Sequence, residues 1–532
     1  MPDRIKTDHK IGQHNITPFG LDIHNPVFMI SGLSIVVFVI ITLMFQEGAT
    51  SFFGWLRPAL TSTFDWFFLS AANIFVLFCV FLLVSPMGKI RLGGDDAKPD
   101  YGYLGWFAML FAAGMGIGLM FFGVSEPISH YSSSFGGTAM EAGARTDWAP
   151  LGAAAGDVDA ARSLGMAATI FHWALHPWAI YAVVALALAF FTYNSKLPLT
   201  LRSAFYPLLG ERVWGWPGHL IDIMAVFATL FGIATSLGFG TEQALAGFSF
   251  LFGWGTGNVA KVLLITIITS MALISVLRGL DGGVKVLSEI NIGLAMLLLL
   301  FVLIVGPTGA IFEAIFSGGI AYAKNLIPLS NPFGREDANF SQGWTSFYWA
   351  WWISWSPFVG MFIARVSRGR TIREFVFCVI IIPTMVTMVW MGAFGGTAIA
   401  QVVADAAAPV KSAALELKLF EMLKPLPFAA VTSFIGIILV LVFFVTSSDS
   451  ASLVIDTITA GGKTDAPAAQ RVFWCVFEGL VAATLLLVGG KESLNALQAM
   501  AVSTGFPFTI VLLLMCISLY IGLSRVQKRL KS

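Results

Sequence analysis

Long runs without charge are the feature that most limits how this chain can fold. The segments 27–46, 295–306 and 435–445 contain no Lys, Arg, Asp or Glu, and similar runs recur along the 532 residues. An apolar stretch of about 20 residues can cross the hydrocarbon core of a bilayer as a helix. Hydrophobic residues make up 57% of the chain and charged residues 11%, whereas soluble domains are about 25% charged. This balance excludes a soluble enzyme, a secreted disulfide scaffold and a nucleic-acid binder.

The cysteines and the first residues of the chain add two expectations. All four cysteines lie inside apolar runs: Cys79, Cys378, Cys475 and Cys516. This placement favours small buried side chains over disulfides. The first 25 residues are polar, and no cleavage-site pattern follows the first apolar segment. We therefore expect no cleavable signal peptide.

The apolar segments predict an all-α polytopic membrane protein with twelve transmembrane helices. These spans cover about 27–47, 64–86, 102–130, 168–192, 218–249, 258–277, 286–308, 344–365, 373–397, 428–456, 471–489 and 500–524. In this topology roughly two thirds of the 31 Lys and Arg residues lie on the side of the two termini. Since basic loops stay on the cytoplasmic side, we expect both termini in the cytoplasm.

The spans also predict how the chain is organised. The expected segments are a cytoplasmic N-terminal segment (1–25), two peripheral transmembrane helices (26–100), a five-helix repeat (101–310), a connecting segment with an amphipathic interfacial helix (311–343), a second five-helix repeat (344–524) and a short basic cytoplasmic tail (525–532). Because five is odd, the second repeat would be inverted relative to the first. Many secondary transporters have this plan, with binding sites on broken helices at mid-membrane. The two halves show no clear residue-level identity, so the plan depends on the span count.

Span three carries glycines at three alternate positions, Gly114, Gly116 and Gly118. Each glycine costs about 1 kcal/mol of helix propensity, so the backbone can unwind and present N–H and C=O groups. Exposed backbone at membrane depth persists only where it lines a cavity or is buried in protein. Close helix packing is the alternative, but packing motifs usually place glycines four residues apart. We therefore favour a ligand site built from main chain.

Spans four and eight are rich in aromatic residues. Span four contains Trp173, Trp178 and Tyr181 around Pro177, and span eight contains the run YWAWWISWSPF over 348–358. An interfacial aromatic belt is the alternative explanation, but Trp178 and Tyr181 lie too deep in their span for it. Pro177 should kink its helix. Aromatic faces with no nearby carboxylate suit a quaternary ammonium, which they attract by cation–π interaction.

Span ten contains the polar run TSSDS over 446–450. Polar groups inside a span are rare and usually functional. Hydroxyl and carbonyl oxygens suit a bare sodium ion, whereas hydroxyls that bond back to their own helix are the alternative. For Asp449, and for the isolated Glu126, Glu242 and Glu478, we expect structural pairs rather than proton carriers.

The segments 114–131, 172–190 and 351–375 together resemble the betaine/choline/carnitine transporter (BCCT) family. The similarity extends from about Asn25 to Leu523 and is closest to the bacterial sodium-coupled glycine betaine symporters. It implies the five-plus-five inverted-repeat sodium-symporter fold in spans 3–12, and a homotrimer among the lipids of a bacterial inner (plasma) membrane. It further implies import of a zwitterionic betaine, most readily glycine betaine, for osmoprotection. Sodium would be co-transported, and no organic cofactor is expected.

The resemblance also assigns substrate-binding residues by position. The ammonium cage would comprise Trp173, Trp178, Tyr181 and Trp352, with Trp355 and Trp351 beside the path. The substrate carboxylate would meet the main chain of Gly114, Met115, Gly116 and Gly118.

Two sodium sites follow from the same resemblance. The first would use the carbonyls of Ala112, Met115 and Phe443 and the hydroxyls of Thr446 and Ser447. The second would use Thr229 and Phe358. Ile233 occupies the position of a second threonine and offers no side-chain oxygen. The second site and a stoichiometry of two are therefore open.

Two alternative functions remain open within the family, proton-coupled choline uptake and sodium-independent exchange of betaines or carnitine. Choline carriers resemble one another in placing an aspartate where Gly118 stands, and carnitine exchangers typically replace a sodium-liganding group by methionine. Neither change is present. A membrane enzyme is disfavoured because no His-Glu-x-x-His, Gly-x-Ser-x-Gly or glycine-rich nucleotide motif occurs.

Overall fold

The structure is a computed structural model that describes residues 7–114, 116–278, 285–490 and 493–531. The described residues are overwhelmingly helical, which confirms the predicted all-α polytopic membrane architecture. Two short antiparallel pairs of strands lie outside the helical body. They are β1 (Asn15–Ile16) with β2 (Ile23–His24), and β3 (Met140–Glu141) with β4 (Ala144–Arg145).

Fifteen helices of at least 12 residues form the body of the described chain. They are α1 (Asn25–Met44), α2 (Gln46–Val84), α3 (Tyr103–Gly114), α4 (Ile117–Gly136), α5 (Val158–Trp173), α6 (Leu175–Ala189), α7 (Trp216–Phe252), α8 (Asn258–Arg278), α9 (Lys285–Val305), α10 (Thr308–Ser330), α11 (Ser346–Val366), α12 (Ile372–Ala404), α13 (Ala429–Thr459), α14 (Ala468–Gly489) and α15 (Ser493–Lys531). Single helical turns lie in several of the connections.

Ten helical segments among the described residues are long and apolar enough to cross a membrane. Two predicted spans are not among these ten. Span three is divided into α3, which ends at Gly114, and α4, which begins at Ile117. Span eight corresponds to α11, whose serines, tyrosine and tryptophans lower its hydropathy. The total of twelve spans therefore stays a prediction.

Two helices differ in length from the predicted segments. The second helix begins at Gln46 rather than near residue 64, and Phe64 inside it departs from helical geometry with a φ of −123°. The charged residues before Phe64 end the apolar run but not the helix. In the connecting segment, α10 runs over Thr308–Ser330 and exposes Phe312, Phe316 and Ile327 on one face.

The helices that carry the sequence motifs pack around one another at the centre of the fold. Helix α11 packs against α6 and α7, α4 against α5 and α12, and α13 against α7. The glycine-rich break, both aromatic segments and the polar run of α13 therefore lie close together. Trp349, Trp351 and Trp390 are among the largest side chains buried completely in this region.

Candidate functional site

One cavity collects eight of the ten residues that the resemblance assigns to the substrate or its path. It has an empty volume of about 470 Å³. Its walls come from α4 and the residue before it, the end of α5, and α6, α11 and α12. The lining residues are Gly116, Gly118, Leu119, Trp173, Pro177, Trp178, Tyr181, Trp351, Trp352, Trp355 and Thr387. Gly114 is the last residue of α3, and Met115 lies outside the described residues.

The four predicted cage residues form perpendicular walls of this cavity. The ring centroids of Trp173 and Trp352 are 4.9 Å apart at 79°, and those of Trp178 and Tyr181 are 5.4 Å apart at 77°. The rings of Tyr181 and Trp352 complete the arrangement, with their centroids 6.0 Å apart and their planes at 85°. All four side chains are buried. Rings at right angles to one another can turn more than one aromatic face towards the same cation, as cation–π binding requires.

The helix of span four is interrupted between α5 and α6, just before the cage residues of α6. Ala174 at the break has φ −105° and ψ −117°. Pro177 has no N–H with which to bond the carbonyl of Trp173, four residues earlier. The hydroxyl of Thr387 lies within hydrogen-bond distance of that carbonyl, at 3.1 Å, and shares its proton with the Thr384 carbonyl of its own helix, at 3.0 Å. The predicted kink is therefore observed three residues before the proline, and the contribution of Thr387 from α12 was not predicted.

The glycine-rich segment places the beginning of a helix at the cavity. Gly116 is extended, with φ −167° and ψ −174°, and no side chain caps the helix that starts at Ile117. The first N–H groups of a helix lack partners within it, and together with the helix dipole they attract anions. In the first turn, a Cβ at Gly118 would lie 2.9 Å from Cη2 of Trp173. Glycine therefore allows the cage ring to approach the helix start.

A buried carboxylate lies directly behind the cage, so the expectation of no nearby carboxylate is wrong. The indole N–H of Trp173 donates to Oε2 of Glu126 at 2.6 Å, and the Tyr348 hydroxyl donates to the same oxygen at 2.5 Å. Oε1 of Glu126 lies 2.6 Å from Nδ1 of His172 and 3.2 Å from Nε2 of His130. The sequence could not reveal this contact because Glu126 and its partners come from three different helices, α4, α5 and α11.

The other acids singled out in the sequence have the structural partners that we expected. Glu478 accepts hydrogen bonds from two serines of α13, and Ser275 donates to Asp449 at 2.6 Å. Glu242 forms an ion pair with Lys261.

A second cavity, of about 720 Å³, adjoins the first and contains four of the five predicted first-sodium residues. Trp355 lines both cavities. The lining residues of the second are Ala112, Ser288, Asn291, Ile292, Trp355, Phe358, Val359, Phe362, Phe443, Thr446, Ser447 and Ser450. The fifth predicted residue, Met115, lies outside the described residues.

Oxygen atoms of α9 and α13 face this second cavity. The Thr446 hydroxyl donates to the carbonyls of Val442 at 3.0 Å and Phe443 at 3.3 Å, the back-bonding considered from the sequence. A hydroxyl that donates still has lone pairs for a cation. Asn291 also lines the cavity, and its buried Oδ1 has no hydrogen-bond partner among the described residues. Sequence reasoning missed Asn291, although an amide within an apolar span was a usable signal.

The predicted second sodium residues are not brought into one cavity. Phe358 lines the second cavity, but Thr229 is not among the described residues that line either one. The buried Thr229 hydroxyl donates to the carbonyl of Ala225 at 2.8 Å. Ile233, one turn later, is also buried.

Comparison with known proteins assigns this chain to a family. A family model described as "BCCT, betaine/carnitine/choline family transporter" matches residues 26–528. The chain is 64% identical over 523 residues to a glycine betaine/proline/choline transporter of Vibrio parahaemolyticus, with 98% of this chain and 94% of the relative covered. It is 54% identical over 522 residues to glycine betaine transporter 1 of the same organism, with 97% of both chains covered. A glycine betaine transporter of Bacillus subtilis is 44% identical over 477 residues, with 89% of both covered. The chain is a multi-pass membrane protein and belongs to the BCCT family of transporters, not to a class of enzymes.

Proposed function

We propose that this protein imports a betaine-type zwitterion, with glycine betaine as the substrate that fits best. The observation that carries the proposal is the first cavity, which combines perpendicular aromatic walls with the uncapped start of α4. A trimethylammonium group donates no hydrogen bonds, and aromatic faces attract it by about 2 kcal/mol or more when it is desolvated. The N–H groups at the start of α4 suit the carboxylate. The names of the similar transporters support this choice of solute.

We further propose that sodium drives the import. The first ion would be held by the carbonyls of Ala112, Met115 and Phe443 and the hydroxyls of Thr446 and Ser447. Asn291 would add an amide oxygen from α9. Oxygen ligands of this kind suit hard cations, and the C-terminal end of α3 contributes the negative end of a helix dipole.

The break between α3 and α4 provides a physical route for coupling. Ala112 lies just before the break and lines the second cavity, while Gly116 and Gly118 lie just after it and line the first. An ion and a substrate that each stabilise the same local backbone arrangement raise one another's affinity. We propose one firmly held sodium, with any second ion bound elsewhere or weakly, because the described residues Thr229 and Phe358 do not line the same cavity.

The cellular setting completes the proposal. We place the protein as a homotrimer among the lipids of a bacterial inner membrane, with both termini in the cytoplasm, where import of a compatible solute would serve osmoprotection. Roughly two thirds of the basic residues fall on the proposed cytoplasmic side, as the positive-inside rule requires.

Uptake of labelled solutes into a bacterial strain that lacks betaine and choline transporters tests the proposed function. We expect saturable, sodium-dependent uptake of glycine betaine, and competition by other trimethylammonium zwitterions. Cells that express Trp178→Leu at matched membrane levels serve as the site control. Choline uptake driven by protons, or betaine exchange without sodium, would contradict the proposal and favour one of the two alternatives.

A further inference from the structure

Glu126 is a completely buried acid that contacts the cage from behind. Its Oε2 accepts from the Trp173 indole at 2.6 Å and from the Tyr348 hydroxyl at 2.5 Å. Its Oε1 faces Nδ1 of His172 at 2.6 Å and Nε2 of His130 at 3.2 Å. The sodium site proposed above makes no use of this group, and the acid does not line either cavity.

The hydrogen bonds show which oxygen of the acid faces the cage ring. An indole N–H can only donate, and the tyrosine hydroxyl donates as well, so Oε2 accepts twice. An oxygen that accepts two hydrogen bonds and donates none carries no proton, whereas Oε1 faces the two imidazole rings. Oε2 therefore presents the negative charge density of the carboxyl group to the N–H edge of Trp173.

Trp173 connects this carboxylate to the cavity. One edge of its indole carries the N–H that is bonded to Glu126, while the opposite edge lies near Gly118 and the ring lies at 79° to Trp352. The hydrogen bond fixes the orientation of the ring. Negative charge at the N–H edge also makes the electrostatic potential of the ring face more negative, and in a desolvated site this field is weakly screened.

We propose that Glu126 is a positioning residue that determines the specificity of the cage. It holds Trp173 in place and, through that ring, makes the cavity select a cationic trimethylammonium group over a neutral group of the same shape. This inference rests on the proposed function, because it states what the same cavity discriminates. A residue with a purely structural role would affect the binding of both groups equally.

The test compares glycine betaine with 3,3-dimethylbutanoate, in which carbon replaces the quaternary nitrogen. Tryptophan fluorescence of the purified full chain gives a Kd for each compound, and the ratio of the two Kd values measures charge selectivity. In Glu126→Gln we expect the ratio to fall about tenfold, which corresponds to ~1.4 kcal/mol. Glu126→Asp keeps the charge and should keep most of the selectivity.

Two further variants separate the proposed role from a general effect on folding. Glu478→Gln changes another buried acid, which is bonded to Ser448 and Ser452 rather than to the cage, and should keep the wild-type ratio. Trp173→Phe retains an aromatic face but has no N–H to bond the carboxylate. Its selectivity should fall, and adding Glu126→Gln to it should change the ratio little further.

The results distinguish a failure of the inference about Glu126 from a failure of the proposed function. Equal weakening of both compounds in Glu126→Gln would make the residue merely structural and overturn the inference. If Glu126→Gln cannot be purified in folded form, an unchanged ratio in Trp173→Phe overturns it. If the wild-type protein itself shows no preference for glycine betaine over 3,3-dimethylbutanoate, the proposed function fails.

Discussion

Adding one methyl group at Gly118 should weaken glycine betaine binding more than it destabilises the protein. A Cβ there would lie 2.9 Å from Cη2 of Trp173 and 3.0 Å from Cη2 of Trp351. Indole rings are rigid, so Gly118→Ala must displace a ring or shift the start of α4. Trp173 is already held by Glu126 at its other edge, which limits how far it can yield.

The size of the effect follows from the cost of overpacking. Inserting a methyl group into a packed site costs about 1–3 kcal/mol. If the cage carries that strain, the affinity for glycine betaine falls about five- to 150-fold, since ~1.4 kcal/mol is tenfold in Kd. Alanine improves helix propensity over glycine by about 1 kcal/mol. This gain offsets part of the strain in the folded protein, so stability should fall less than affinity.

Calorimetric titration and thermal unfolding of the purified protein measure these two quantities separately. Gly105→Ala, in α3, is the matched control because a Cβ at that position would meet no atom within 4 Å. It should bind like the wild type. Wild-type affinity in Gly118→Ala would refute the reasoning, because the close approach of the rings would then play no part in shaping the site.

Three further predictions concern the cage, the ion and the N-terminal segment. Trp178→Leu removes one wall and should raise the Kd for glycine betaine roughly tenfold; an unchanged Kd would remove this residue from the site. Replacing both Thr446 and Ser447 by alanine should raise the sodium concentration for half-maximal uptake about tenfold or more. Betaine binding at saturating sodium should weaken less, and equal weakening of sodium dependence and betaine binding would contradict an ion-ligand role. His9 stacks on Trp214 at 4.0 Å, and burial lowers the pKa of His9 to about 4. The neutral His9 ring therefore stabilises the docked N-terminal segment fully above the unfolded-state pKa of histidine, about 6.5. This stabilisation is lost as the pH falls towards 4. Limited proteolysis should cleave the N-terminal segment faster at a pH of about 5 than at about 7.5, and this difference should be smaller in His9→Phe. The same difference in the wild type and in His9→Phe would exclude His9 as the cause.

The sequence was most informative where a single local feature determines the structure. Long apolar segments predicted helices such as α1 and α7 to within a few residues, because apolar length is the dominant constraint in a bilayer. Alternate glycines predicted the interruption that separates α3 from α4. The family resemblance predicted the residues of the cage, and the structure brings Trp173, Trp178, Tyr181 and Trp352 into one cavity.

Contacts between distant segments could not be derived in the same way. Thr387 bonds to the carbonyl of Trp173 across 214 residues, and nothing local to α12 indicates that contact. Glu126 was seen only as an isolated acid, since its relation to the cage depends on how α5 and α11 pack against α4. The start of α2 was missed for a different reason. Polar residues end an apolar run, but they do not end a helix whose backbone hydrogen bonds continue.

Transport into proteoliposomes with the ion gradients and the voltage set independently tests the central claim most directly. A zwitterion gains nothing from voltage, whereas each co-transported sodium contributes roughly 2.3 kcal/mol per 100 mV. We predict that an inward sodium gradient drives uphill accumulation of glycine betaine, and that an inside-negative voltage increases it. Accumulation driven equally well by a potassium gradient, or by a proton gradient alone, would contradict sodium-coupled betaine import.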